Sequence, residues 1–244
     1  MNIKTQLEDF YLKGKDEFPN ILLLHGLKSN GSEMKELGRY LNKFGYNVHM
    51  PIYPGHGESD ELFYCSNVYM WYGRTLEKYK ETDHGTENTI VIGLSMGGSF
   101  AIKLGLTYKL KGLVTLNAPA VGFTDKYLRE EIEREFREDP DISRFICANY
   151  MYAFRKEYSD FIDEIGQVEN LKKITNRTLI IQGLKDQERY IKSSRRIFNN
   201  VSAKKKEIAL FKESDHIITI GTEKKELFTK ILEFCKKIRW KNDY

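Results

Sequence analysis

The stretch that most limits what this chain can become is Gly93-Leu94-Ser95-Met96-Gly97-Gly98. A β-branched run, Thr89-Ile90-Val91-Ile92, leads into it, and Met96, Phe100, Ala101 and Leu104 return afterwards at helical spacing. Ser95 therefore stands where a strand becomes a helix. A side chain on so sharp a turn needs strained backbone angles, and the flanking glycines let neighbouring segments approach without a Cβ in the way. The hydroxyl is then held clear of the sheet, where the free N–H groups and positive end of the following helix point at it. Such a turn belongs in a mostly parallel α/β sheet flanked by helices.

The rest of the chain supplies that sheet. Phe10-Tyr11-Leu12 reads as a short edge strand, and Ile21-Leu22-Leu23-Leu24-His25-Gly26 as a buried parallel strand, because an unbroken apolar run suits a strand covered on both faces. Asn30-Gly31-Ser32 opens a helix on which Met34, Leu37, Leu41 and Phe44 share a face, with Gly45 at its end. The strand Tyr46-Asn47-Val48-His49-Met50-Pro51 and the stiff loop Pro54-Gly55-His56-Gly57 follow. An aromatic helix with Val68, Trp71, Leu76 and Tyr79 then leads to the strand before Ser95. A further strand, Leu113-Val114-Thr115-Leu116, ends at Asn117-Ala118-Pro119.

There the alternation stops. Residues 123–176 read as helices, the first highly charged and capped by Thr124. The next carries Phe145, Tyr150, Tyr152, Phe154, Tyr158 and Phe161, a surface that suits either helix packing or the lining of an acyl pocket. The alternation resumes with Thr178-Leu179-Ile180-Ile181-Gln182-Gly183, a helix near Ser193 to Phe198, the strand Glu207-Ile208-Ala209-Leu210-Phe211, and a closing helix with Leu227, Ile231, Leu232 and Phe234 inward. The expected organisation is one domain over 1–244, with a core of 1–122 and 177–244 and a helical cap of 123–176 lying over the carboxyl ends of the strands, where such sheets bind ligands.

Composition narrows the function classes. Lys+Arg 39 against Asp+Glu 35 gives a net charge of +4, spread along the chain, which gives no electrostatic case for a nucleic-acid partner. Three separated cysteines form neither a disulfide framework nor a metal spacing. The amino terminus lacks a basic start and an apolar run, and no later stretch suits a bilayer, so a cytoplasmic chain without integral membrane association is expected.

Three residues make a chemical constellation. A serine hydroxyl is a poor nucleophile at neutral pH, and acyl transfer needs an imidazole to take its proton and a carboxylate to orient that imidazole. Ser95, Asp186 and His216 each follow a predicted strand at the same end of the sheet. Their order in the chain is Ser, Asp, His. For the acid, Asp215, Glu188 and Asp163 are the alternatives to Asp186. His25, His49, His56 and His84 are the other histidines, of which His25 is expected to order its loop by hydrogen bonds. The oxyanion formed during attack would meet the backbone N–H groups of Met96, after the serine, and Leu27, in the loop after the first buried strand.

Taken together, Ile21 to Gly26, Pro51-Ile52-Tyr53-Pro54-Gly55-His56-Gly57, Gly93 to Gly98, Gly183-Leu184-Lys185-Asp186 and Ser214-Asp215-His216-Ile217-Ile218-Thr219 resemble the small bacterial carboxylesterases related to monoacylglycerol lipases. The resemblance implies an α/β-hydrolase fold with a small helical cap, a Ser95-Asp186-His216 triad, oxyanion donors at Leu27 and Met96, no cofactor or metal, and a small acyl ester as substrate. These esterases often read His-Gly-Phe-Thr-Gly in the oxyanion loop, whereas this chain reads His25-Gly26-Leu27-Lys28-Ser29, which removes an aromatic and adds a charge beside the acyl site. A monoacylglycerol lipase or a thioesterase differs only in the leaving group. A receptor that keeps the pocket without turnover is the reading from outside enzymology.

Overall fold

In the computed structural model, which describes residues 7–141 and 146–239, the chain alternates strands and helices as the apolar runs require. It opens with β1 (Phe10–Leu12), β2 (Asn20–Leu24), α1 (Ser32–Lys43), β3 (Asn47–Met50), α2 (Asp60–Tyr64), α3 (Val68–Asp83), β4 (Thr89–Leu94), α4 (Met96–Thr107) and β5 (Gly112–Leu116). Three helices follow without a strand between them, α5 (Asp125–Glu138), α6 (Ala148–Gly166) and α7 (Val168–Leu171). The alternation closes with β6 (Thr178–Gly183), α8 (Glu188–Asn200), β7 (Lys206–Phe211) and α9 (Lys224–Arg239).

The strands form one sheet in the order β1-β3-β2-β4-β5-β6-β7, parallel throughout except for β1, which runs antiparallel along β3. Side chains alternate across a strand, so neighbours serve opposite layers. Leu22 and Leu24 face the layer containing Trp71, Phe100 and Leu104, whereas Ile21 and Leu23 face the layer containing Met34, Leu37, Leu227 and Ile231. That double coverage is why β2, β4, β5 and β6 read as mostly apolar runs instead of alternating ones.

Two local expectations change, and one element is added. Phe44 does not join the inward face of α1. The helix ends at Lys43, and Phe44 sits at its C-cap, 40% exposed, against Tyr40. Between the Pro54–Gly57 loop and the aromatic helix lies the short α2, which Ser59 caps by accepting from the Leu62 N–H. The helix expected near Ser193 begins at Glu188. Phe145 lies outside the described residues. Among the described residues, no helix is long and apolar enough to cross a membrane.

Between β5 and β6 the described chain is helical. Thr124 caps α5 by accepting from the Tyr127 N–H, and Leu128 and Ile132 are its buried face. The long α6 buries Met151, Phe161, Ile162 and Ile165 and packs on α3, α4 and α8. Two of its side chains, Phe154 and Tyr158, border the same cavity as Ser95.

Candidate active site

Ser95 adopts φ 52° and ψ −119° between β4 and α4, a conformation that costs about 1–3 kcal/mol and persists only where the surroundings enforce it. They do. The Ser95 N–H donates to Leu116 O at 2.8 Å, and a Cβ on Gly93 would lie 2.1 Å from Gly97 O. A Cβ on Gly97 would lie 2.2 Å from Leu24 O, so α4 can approach the end of β2 only with glycine there.

His216 reaches this serine from the loop after β7. Its Nε2 lies 2.8 Å from Ser95 Oγ and its Nδ1 2.8 Å from Asp186 Oδ2. The arrangement requires the tautomer in which Nδ1–H donates to the carboxylate and Nε2 accepts from the hydroxyl. Asp186, beyond the end of β6, is buried, with Oδ1 accepting from the Gln187 N–H at 2.7 Å. The other carboxylates lie elsewhere. Asp215 is exposed, Glu188 pairs with Lys192 in the first turn of α8, and Asp163 accepts from the Gly122 N–H.

A residue that sequence reasoning passed over locks these loops together. Asn117, buried at the end of β5 with φ 49°, donates through Nδ2 to both Asp215 O and His216 O at 2.8 Å and accepts at Oδ1 from the Gly183 N–H at 2.8 Å. One amide thus joins the histidine loop to the strand that carries Asp186. The available signal is a strand ending in asparagine, a residue able to take positive φ.

The loop after β2 passes beside the serine, since a Cβ on Gly26 would lie 3.7 Å from Ser95 Cβ. Glu33, buried in the first turn of α1, accepts from the Gly26 N–H at 3.2 Å and from the Ser29 hydroxyl. His25 Nδ1 is 2.8 Å from Gly26 O, so this ring orders the loop. Burial holds His25 down at about 4 and His56, edge-on to Trp71, down at about 3. Leu27 borders the same cavity as Ser95, and Met96 is the first residue of α4, where a helix leaves its N–H unpaired.

Ser95 and His216 open onto a cavity of about 520 Å³. Phe63, Trp71, Phe154 and Tyr158 make it largely apolar, which answers the question of the aromatic surface in part. Phe154 and Tyr158 line the cavity, whereas Phe161 is buried against Phe100. The insertion is fastened beside it, with Tyr64 Oη donating to Glu135 at 2.8 Å, Arg155 pairing with Glu135, and Tyr150 Oη donating to Tyr64 O.

A mostly parallel sheet, a strained serine between strand and helix, and a cavity above it define the chain as a serine hydrolase of the α/β-hydrolase fold. Its residues 17–138 match the family described as "Serine aminopeptidase, S33", and the chain belongs to that family. It is 30% identical over 240 residues to a carboxylesterase of Bacillus subtilis (strain 168), covering 95% of this chain and 97% of that protein. A thermostable monoacylglycerol lipase of Bacillus sp. (strain H-257) is 25% identical over 234 residues, covering 89% and 90%. In structure, the chain resembles a monoacylglycerol lipase from Paleococcus ferrophilus, with a TM-score of 0.72 at 18% identity over 95% of this chain and 100% of that one.

Proposed function

We propose that this chain is a carboxylesterase that hydrolyses short to medium acyl esters through an acyl-enzyme on Ser95. The observation that carries the reading is the single imidazole of His216 placed 2.8 Å from both Ser95 Oγ and Asp186 Oδ2. His216 accepts the serine proton as Oγ attacks the ester carbonyl, and Asp186 stabilises the imidazolium and holds its tautomer. The N–H groups of Leu27 and Met96 stabilise the oxyanion, each worth about 3 kcal/mol. His216 then protonates the departing alcohol, and water repeats the sequence on the acyl-enzyme. The family's description names an aminopeptidase, but the relative that spans nearly the whole chain is named a carboxylesterase, and the largely apolar cavity suits an acyl chain.

The test is steady-state hydrolysis of p-nitrophenyl esters from acetate to laurate by the native chain and Ser95→Ala. Rapid turnover lost in the variant, with an optimum at short to medium chains, is the expected result. Turnover no faster than the variant's across the series overturns the reading. Adding a monoacylglycerol to the series addresses the lipase named among the relatives.

A further inference from the structure

The charges around the cavity do not all balance. Three carboxylates line it, and each has a partner: Glu33 holds the loop after β2, Glu131 pairs with Arg134 at 2.7 Å, and Glu135 pairs with Arg155 and Tyr64. Among the cations of the same wall, Lys28 pairs with Asp60 at 3.0 Å and Arg155 with Glu135. Arg189 is different. It is half-buried in the cavity wall, and no carboxylate among the described residues pairs with it.

Its neighbours are aromatic. The guanidinium carbon lies 4.6 Å from the Phe123 ring centre, 4.5 Å from that of Tyr127 and 5.0 Å from that of Tyr190. Phe123 and Tyr127 are themselves stacked, with centres 5.5 Å apart. Rings stabilise and orient a cation but accept no conventional hydrogen bond, and Nε and Nη1 are buried without an acceptor in the protein. Buried N–H donors left in this state on a half-buried cation are a standing cost unless a ligand supplies an acceptor and the opposite charge. The position is also specific. Tyr190 packs its ring 4.2 Å from that of His216, so Arg189 stands on the histidine's side of the cavity.

We propose that Arg189 binds a carboxylate carried on the alcohol portion of the substrate, making the preferred substrates acyl esters of hydroxy acids. The inference rests on the ester-hydrolase reading for its chemistry: His216 protonates the departing alcohol, so the leaving group lies toward His216 and hence toward Arg189. One guanidinium carries the one charge that a single carboxylate requires, and its planar N–H edge matches the two oxygens.

The experiment compares 3- and 4-butyryloxybenzoate with the corresponding neutral butyryloxybenzamides, in the native enzyme, Arg189→Met and Arg189→Lys. Withdrawal of electrons by the amide makes the neutral esters at least as reactive intrinsically, so any preference for the acids comes from the enzyme. The native enzyme is expected to favour one of the acids by about 10- to 100-fold in kcat/KM, the range for one charge-assisted hydrogen-bonding site. Arg189→Met should erase the preference while changing the amides by less than about threefold, and Arg189→Lys should keep part of it. Equal losses on acids and amides overturn the proposal, because they mean that Arg189 only packs the rings. So does a native enzyme with no preference for either acid.

Calorimetric titration of the same compounds into Ser95→Ala, with and without Arg189→Met, separates this proposal from the one beneath it. Tighter binding of an acid that depends on Arg189, without turnover of any ester by the native chain, keeps the anion site and sinks the hydrolase reading. Turnover of neutral esters with no Arg189-dependent binding of either acid does the reverse.

Discussion

The corner holding Ser95, His216 and Asp186 and the wall of the cavity above it are built on different principles. In the corner each group is set at the end of a strand, and Asn117 ties the loops after β6 and β7 to the end of β5. In the wall, rings from α2, α3, α5, α6 and α8 meet side chain against side chain, joined by contacts such as Phe154 on Phe63 and Tyr64 and by the ion pair of Glu135 with Arg155. The corner inherits the rigidity of the sheet. The wall has only its own packing, and it can change shape or charge without disturbing the sheet beneath it.

If that contrast holds, the largest effects come from the corner and are not additive. Ser95→Ala and His216→Ala should each lower kcat by about a thousandfold to a millionfold, and the double variant should lose no more than the worse single one. Multiplicative losses in a kinetic cycle would mean that the two residues do not work as one unit.

The floor beneath the corner makes a prediction in pH. His25 and His56 are buried, and desolvation lowers both below the ordinary histidine value of 6.5. The unfolded chain therefore takes up their protons first as the pH falls, so their contribution to stability is complete above 6.5 and is withdrawn as the pH drops toward about 3 to 4. His56→Phe keeps a ring against Trp71 and Phe63 without a titrating group. Between pH 7 and pH 5 it should lose about 2 kcal/mol less than the native chain, read from urea midpoints at the two pH values. Parallel losses would show that His56 takes up its proton in the folded chain as readily as in the unfolded one, and that burial does not lower it.

Asn117 comes next in size. Removing its amide frees the histidine loop from β6 while leaving every group in the corner present, so Asn117→Ala should lower kcat by about tenfold to a hundredfold with little change in KM. Asn117→Asp, which keeps the acceptor and loses the donor to Asp215 and His216, separates the two halves of the brace.

The same contrast governs what can be read from the sequence. The central strands are legible because a strand covered on both faces is apolar at most of its positions, and the serine turn is legible because only glycine fits where Gly93 and Gly97 meet backbone atoms. Asn117 is not, because its partners stand 98 and 99 residues away and nothing local marks them. Nor are the beginnings of α2 and α8, since the first is a single short helix in a segment rich in turn residues and the second opens on polar residues before any apolar periodicity appears. The wall is legible only as aromatic content. Which rings line the cavity depends on how α6 lies across α3 and α4, and the balance of its charges depends on pairings between separate helices.

The smallest effect is the one that tests the wall. Phe154 is half-buried, edge-on to Phe63 at 5.4 Å and Tyr64 at 5.2 Å, and borders the cavity without touching the corner. Truncating it removes volume from the far wall, so an acyl chain long enough to reach there gains room while an acetyl group is indifferent. Phe154→Ala is therefore expected to raise the ratio of kcat/KM for the octanoate ester over the acetate ester by about threefold to tenfold, the scale on which an apolar pocket distinguishes a few methylenes. The acetate value itself should stay within about twofold of the native enzyme's, because Ser95, His216 and Asp186 are held from below. A common factor on both esters would show that the ring supports the corner after all, and the division between a corner set by the sheet and a wall set by its own packing would have to be redrawn around α6.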